Sequence, residues 1–215
     1  MEHFLEHFAI GVAAITGVLA ARGKGVDLFG VVVLALVTAF GGGTVRDLLV
    51  GDTPVAWLRN PTYLLTASLV AVATFFVPRL HKLPDKVLLV ADAFALALYT
   101  IVGTRKGVAL QFAAPVAVLL GVVTGVAGGM LRDIMTGEVP LVFRPHIRLY
   151  ATAAMAGAAV FVVLIRRWPG QPAVTIVAVS LILALRLTGI WLKISLPVFQ
   201  PDGASNPDGS KQPKP

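Results

Sequence analysis

Apolar residues in this chain run in long unbroken stretches, with the polar positions gathered into short intervals between them. Seven such stretches can be read: Phe4–Ala21, Val26–Val50, Thr62–Val77, Val87–Thr104, Val108–Thr136, Leu149–Ile165 and Ala173–Leu192. A helix rises ~1.5 Å per residue and the hydrocarbon core of a bilayer is ~30 Å thick, so stretches of this length predict membrane-spanning helices. The third and sixth are slightly short and extend into their polar flanks. Barrel strands would instead alternate over ~10 residues, and these stretches do not alternate. The fold class is an all-α polytopic membrane protein.

Composition sharpens that reading. Residues are 57% hydrophobic and 13% charged, where a soluble domain is about 25% charged. Mean hydropathy is +0.84. The first stretch opens on Glu2, His3, Glu6 and His7 rather than on basic residues, so it is not read as a cleaved signal. Cysteine is absent, which excludes disulfides and thiolate metal sites; no metal or cofactor is expected. The net charge of +7 comes from basic residues scattered through short loops, a topology signal rather than a nucleic-acid surface. With the amino terminus outside, ten Lys and Arg fall on the cytoplasmic side and five on the outer side, as the positive-inside rule requires. The carboxyl terminus is then cytoplasmic. No nucleophile–base pair or nucleotide loop supports an enzyme.

The chain also repeats itself. Ala39–Pro54 (AFGGGTVRDLLVGDTP) returns as Val126–Pro140 (VAGGMLRDIMTGEVP) at an offset of 86 residues, so that Gly42, Gly43, Arg46, Asp47, Gly51 and Pro54 match Gly128, Gly129, Arg132, Asp133, Gly137 and Pro140. Arg22–Val26 and Thr104–Val108 repeat at an offset of 82 and are read as the joints between the first two and the fourth and fifth spans. Arg59-Asn60-Pro61 and Arg144-Pro145 precede the third and sixth spans, with proline suited to a first helical position. The unit is three helices used twice plus a seventh: 1–77, 78–165, then 166–196, with 197–215 a polar tail expected to be disordered. Three is odd, so the second unit enters the membrane inverted, and such repeats build a pathway at their interface from helices broken near midplane. Gly41, Gly42 and Gly43 in the second span, and Gly128 and Gly129 in the fifth, are the expected break and gating points. The alternative is that these glycines are notches for close helix packing.

Charges inside the spans are Arg46, Asp47, Asp92, Arg132, Asp133 and Arg186, three of each sign. An isolated Arg or Asp at the centre of a membrane helix costs ~2.5–3.5 kcal/mol. Neighbours on a helix point about 100° apart, so the expected pairs cross the repeats: Arg46 with Asp133, and Arg132 with Asp47. These pairs either lock the repeats together or line an ion path. Asp92 has no obvious partner and admits both roles. Arg186 is expected to snorkel to the inner boundary. Glu6, His7 and Asp27 read as span-end caps. Thr38, Thr44 and Thr124 could offer hydroxyls to an ion, although threonine in a helix often bonds its own backbone. Ala153 and Gly157 mark a small-residue face for self-association.

The paired segments GGGTVRD (Gly41–Asp47) and GGMLRD (Gly128–Asp133), in a 3+3+1 chain, resemble the prokaryotic TRIC (trimeric intracellular cation) channel family, also described as glycine transporters. The resemblance spans about Ala9 to Trp191. It implies a homotrimer with one pore per protomer, running between the repeats beside kinked second and fifth helices and conducting monovalent cations, K⁺ foremost. It implies no other partner than membrane lipids, and a location in the plasma membrane of a bacterium or archaeon. Animal members carry a Lys-Glu-Val type motif where this chain has Arg-Asp, so phosphoinositide control and a calcium-store role are not implied. The alternative activity is secondary transport of a small solute such as glycine.

Overall fold

The computed structural model describes residues 2–78, 83–84, 86–144 and 149–192; the expected disordered tail lies outside them. Its elements are α1 (Glu2–Ala20), α2 (Leu28–Leu49), a short α3 (Ala56–Arg59), α4 (Pro61–Phe75), α5 (Lys86–Ala109), α6 (Ala114–Met135), a 3-10 turn (Leu141–Phe143), α7 (Tyr150–Arg167) and α8 (Pro172–Leu192). Five helices, α2 and α5 to α8, are long and apolar enough to cross a membrane, while Leu5–Ala20 and Pro61–Phe75 are shorter apolar helices. Phe29, Leu69 and Trp191 stand among many large apolar side chains left exposed, as a lipid-facing surface requires.

Local chemistry sets the helix ends. Asp27 caps α2 by accepting the Gly30 N–H at 2.8 Å, and Asn60 caps α4 ahead of Pro61. Gly51 and Gly137, both with φ near +70°, end α2 and α6 in the same way. Asp52 N–H bonds the Asp47 carbonyl and Glu138 N–H bonds the Asp133 carbonyl, each at 2.9 Å, the six-to-one closure of a Schellman turn. One expected boundary moves. Thr104–Val108 is not a joint but lies within α5, which runs on to Ala109, and the turn falls at Leu110–Ala113. Gly107 is held in the helix by packing, since a Cβ there would sit 2.8 Å from the Ala117 Cα.

Small residues let the helices approach closely. Ala13, Ala14, Ala35, Ala67 and Ala71 are buried between α1, α2 and α4. Ala153 and Gly157 also pack inward rather than forming an outer face: Ala153 belongs to the core shared by α5, α7 and α8, and a Cβ on Gly157 would meet Ile182 Cγ1 at 2.1 Å.

At the centre α2 crosses α6. A Cβ on Gly42 would lie 2.0 Å from the Thr124 carbonyl oxygen, and one on Gly128 would lie 2.5 Å from that of Thr38. These contacts are reciprocal under the 86-residue offset, and the partner number falls as the residue number rises. The two helices therefore run antiparallel about a pseudo-two-fold axis perpendicular to them, which is the inverted repeat. The expected helix breaks are absent, because α2 and α6 continue as α-helix through Gly41–Gly43 and Gly128–Gly129. Gly42 and Gly128 are notches: the opposing backbone leaves room for a hydrogen and nothing larger.

Candidate functional site

Each half of the molecule carries one charged centre at the end of its middle helix. In the first, Arg46 Nε donates to Asp47 Oδ1 at 2.9 Å and its Nη2 makes an ion-pair contact with the same oxygen at 2.8 Å. In the second, Arg132 Nε donates to Asp133 Oδ1 at 2.9 Å and its Nη2 makes an ion-pair contact with the same oxygen at 2.8 Å. The other carboxylate oxygens accept loop N–H groups, from Ala56 at 2.9 Å and from Leu141 at 2.8 Å. The expected cross-repeat pairs, Arg46 with Asp133 and Arg132 with Asp47, do not form. The 100° separation of neighbours applies to their Cα–Cβ bonds, whereas a guanidinium at the end of a long side chain folds back onto the next residue. Arginine in the last helical turn also offsets the dipole, which disfavours the aspartate there.

Charge does cross between the repeats, through lysine. Lys24 bonds Glu138 at 2.5 Å, and Lys106 bonds both Asp52 and Asp47, the latter at 2.6 Å. Arg59 adds a second partner to Asp52, and Arg144 does the same for Glu138 at 3.1 Å. The Arg59 hydrogen bond, then that of Lys106, holds the Asp52 carboxyl down at about 2. Lys24 depresses Glu138 in the same direction.

An acid on the first helix and a tyrosine on the third complete each centre. Glu6 and Asp92 are again 86 residues apart, and Tyr63 and Tyr150 are 87 apart. The Tyr63 hydroxyl donates to Glu6; the Tyr150 hydroxyl and Asp92 Oδ1 both close on Gly129, each 3.3 Å from where a Cβ there would stand. Asp92 is buried and accepts from Arg132 Nη1 at 3.0 Å. Arg186 of α8 closes this second centre. It is fully buried, stands over the Tyr150 ring at 4.5 Å, and comes within 3.9 Å of Asp92. It does not snorkel, because Asp92 and the ring give its charge a place inside.

A line of cavities follows the α2/α6 crossing. A vestibule of about 490 Å³, lined by Glu6, Asp52, Arg59, Arg105 and Lys106, opens at the end of α2. It shares Glu6, Arg46 and Tyr63 with a cavity of about 60 Å³ beneath Trp57 and Phe40. That cavity shares Ala39 and Tyr99 with a central one of about 10 Å³, room for about one water molecule. Thr38, Thr124, Asp92, Gly128 and Gly129 line this centre, and Arg132 ends it. Beyond it a second vestibule of about 490 Å³ opens beside Asp133, Glu138 and Lys24. Since α2 and α6 are antiparallel, the two vestibules face opposite sides.

Of the residues singled out by sequence, Thr38 and Thr124 face the centre, each hydroxyl donating to the carbonyl four residues back at 2.6 Å. Thr44 is not there; it accepts the Trp57 indole N–H at 3.1 Å. Sequence reasoning missed Lys24, Lys106, Glu6, Tyr63, Tyr150 and the inward role of Arg186. The repeat offset of 86 to 87 would have found Glu6 with Asp92 and Tyr63 with Tyr150. Nothing in the repeat would have found Arg186, which has no counterpart.

A family model described as the glycine transporter matches residues 3–79 and 89–166. The chain belongs to this family. Members of such close likeness include the UPF0126 inner membrane protein YadS of Escherichia coli, 36% identical over 94% of this chain and 98% of that protein. A UPF0126 membrane protein of Vibrio cholerae is 36% identical over 92% of this chain and 82% of the relative. The crystal structure of the TRIC trimeric intracellular cation channel orthologue from Rhodobacter sphaeroides matches with TM-score 0.82 at 35% identity, covering 89% of this chain and 97% of that one. The resemblance read from the two Gly-Arg-Asp segments is borne out, and the chain is a multi-pass membrane protein with the TRIC fold.

Proposed function

We propose that this member of the glycine transporter family is a cation channel. It conducts monovalent cations, K⁺ foremost, along the cavity line between its repeats, and assembles as a homotrimer with one path per protomer in the plasma membrane. The observation that carries this reading is the line of cavities from one vestibule to a threonine- and glycine-lined centre, with a second, opposed vestibule beyond Arg132. The likeness to a protein described as a trimeric intracellular cation channel supports both conduction and self-association. Thr38, Thr124 and Asp92 are the proposed lining, and the Gly42/Gly128 notches the point where the path is narrowest. Lys24 lines one vestibule and Lys106 the other; the positive-inside count puts the Lys24 side in the cytoplasm. The exposed apolar residues face lipid, and no cofactor takes part.

A second reading, secondary transport of a small solute such as glycine, draws on the description of the family model and on the buried Arg132 that stops the line between centre and second vestibule. Single-channel recording of the purified protein in a planar bilayer separates the two. Discrete current steps reversing at the K⁺ potential are expected. Electrical silence together with gradient-driven glycine uptake into vesicles would replace the channel by the transporter.

A further inference from the structure

The cavities on the two sides of the α2/α6 crossing correspond under the repeat, and they differ at one bulky position. Glu6, Ala9, Gly43 and Arg46 line the cavity of about 60 Å³; Asp92, Ala95, Gly129 and Arg132, each 86 residues further on, line the central one of about 10 Å³. Two residues belong to both cavities, Ala39 and Tyr99. Their counterparts at the same offset are Gly125 and Ala13, which line the central cavity. Of two equivalent positions, one therefore carries a phenol and the other a methyl group.

The phenol stands where the two cavities meet. Its hydroxyl donates to the Ala39 carbonyl at 2.7 Å, which ties α5 to α2 across the line. Since α2 is unbroken from Leu28 to Leu49, that carbonyl also belongs to the backbone ladder, accepting the N–H four residues on. A carbonyl oxygen has two lone pairs, so release of the phenol leaves the helix intact and its acceptor satisfied. The tie is a single neutral hydrogen bond. Arg132, which ends the centre on the far side, is instead held by ion pairs to Asp92 and Asp133. The larger space beside Tyr99 is on the vestibule side, where Ile10, Phe40, Trp57 and Val102 offer apolar walls that a tilted ring can lie against.

We propose that Tyr99 is the gate of the path on its Lys106 side. Latched to Ala39, the phenol parts the cavity beneath Trp57 from the threonine-lined centre; tilted into that cavity, it joins them. The inference rests on the channel reading for what passes, while access past Tyr99 is measured without current. Opening exchanges one hydrogen bond to a backbone carbonyl for one to water, which reaches the hydroxyl from the vestibule. Removing a latch of that kind shifts the open population by about two- to tenfold. Ala13 has no group to latch, so the gate occurs once in the protomer although the cavity occurs twice.

The chain has no cysteine, so one introduced thiol reports access. Thr38→Cys places it in the centre, beyond Tyr99 from the vestibule. Gly43→Cys places it in the cavity before Tyr99, where a Cβ meets only Arg46 Nη2, at 3.7 Å. The probe is Ag⁺, a thiolate-binding cation of alkali-ion size, applied as the nitrate to the purified protein. Thiols left unreacted are counted with a maleimide dye after denaturation. Tyr99→Phe keeps the ring and removes the latch. It should speed the reaction at Thr38→Cys by about two- to tenfold and leave that at Gly43→Cys unchanged; Tyr99→Ala should speed the first further. In planar bilayers Tyr99→Phe should raise open probability at unaltered unitary conductance. If Thr38→Cys does not fold, Thr124→Cys on the same cavity is read in its place, and Tyr99→Leu replaces an unfolded Tyr99→Phe. A Thr38→Cys rate that ignores Tyr99→Phe, a rise shared equally by Gly43→Cys, or an unchanged open probability in a conducting protein would each overturn the gate. Selectively faster labelling in a protein that passes no current would uphold the gate and overturn only the channel reading.

Discussion

The two charged centres share one sequence motif and differ in what surrounds it. Around Arg132 the acid Asp92 is buried, α8 delivers Arg186, and the group ends the central cavity. Around Arg46 the acid Glu6 is partly exposed, α8 packs instead on α5 and α7, and a cavity opens to the vestibule. The motif supplies a helix end that holds its own ion pair. The two helix ends differ in that one meets a further helix, α8, and the other faces a cavity. A duplicated sequence thus yields two unequal sites.

The largest effect expected from breaking this comparison is at Arg132. Arg132→Gln leaves buried Asp133 with the Leu141 N–H and no cation, and Asp92 with Arg186 at 3.9 Å; loss of a buried pair's partner costs about 3–5 kcal/mol. Arg46→Gln leaves Asp47 with the Lys106 ammonium and the Ala56 N–H, and should cost about 1–3 kcal/mol, nearer the worth of its hydrogen bonds. Unfolding in detergent micelles measures both. Equal losses would mean that burial and pairing do not set the two centres apart.

The glycines give the next effect and a sharper test. Gly42→Ala and Gly128→Ala each drive a methyl into the opposing carbonyl, and should cost about 1–3 kcal/mol alike, as overpacking does. Gly43→Ala meets nothing nearer than 3.7 Å, and should be neutral or gain up to ~1 kcal/mol from helix propensity. Gly129→Ala, tight against Asp92 and Tyr150, should lie between. Melting temperatures that rank Gly43→Ala with Gly42→Ala would refute the notch.

A smaller signal lies in coupling. Asp92→Asn and Arg186→Met should show an interaction energy of about 0.5–3 kcal/mol in a double-mutant cycle, while Glu6→Gln with Arg186→Met should add without interaction. Coupling in the second cycle would show that the halves are not separate.

The smallest effect concerns the lysine links. Because the Asp52 carboxyl is held down at about 2, against an ordinary value of about 3.9, its contribution to stability is present above the ordinary value. It is lost as pH falls through the lowered one. Wild-type melting temperature should therefore fall more steeply than that of Asp52→Asn between about pH 4 and 2. Parallel curves would remove the Lys106–Asp52 link from the ledger of the first half.

Much of this protein followed from sequence because it depends on neighbours along the chain. Apolar length fixed the membrane helices, Asp27 and Pro61 marked helix starts, and the 86-residue offset gave the duplication that the Gly42 and Gly128 contacts realise as an inverted pair. The charges that needed an answer inside the membrane were also visible one by one. Their partners were not. Arg46 and Arg132 turn to the next residue, a choice made by side-chain reach that helical periodicity does not describe. Lys24 and Lys106 cross to the other repeat, and Arg186 reaches Asp92 from 94 residues away in the chain. The glycines promised weakness in a helix and instead serve contact between helices, since an intact backbone ladder tolerates glycine while the opposing carbonyl tolerates nothing else. Sequence determined which groups are present and how the chain is folded twice. Tertiary structure alone decided which groups meet, because burial and charge pairing act through space, between residues whose separation along the chain carries no signal.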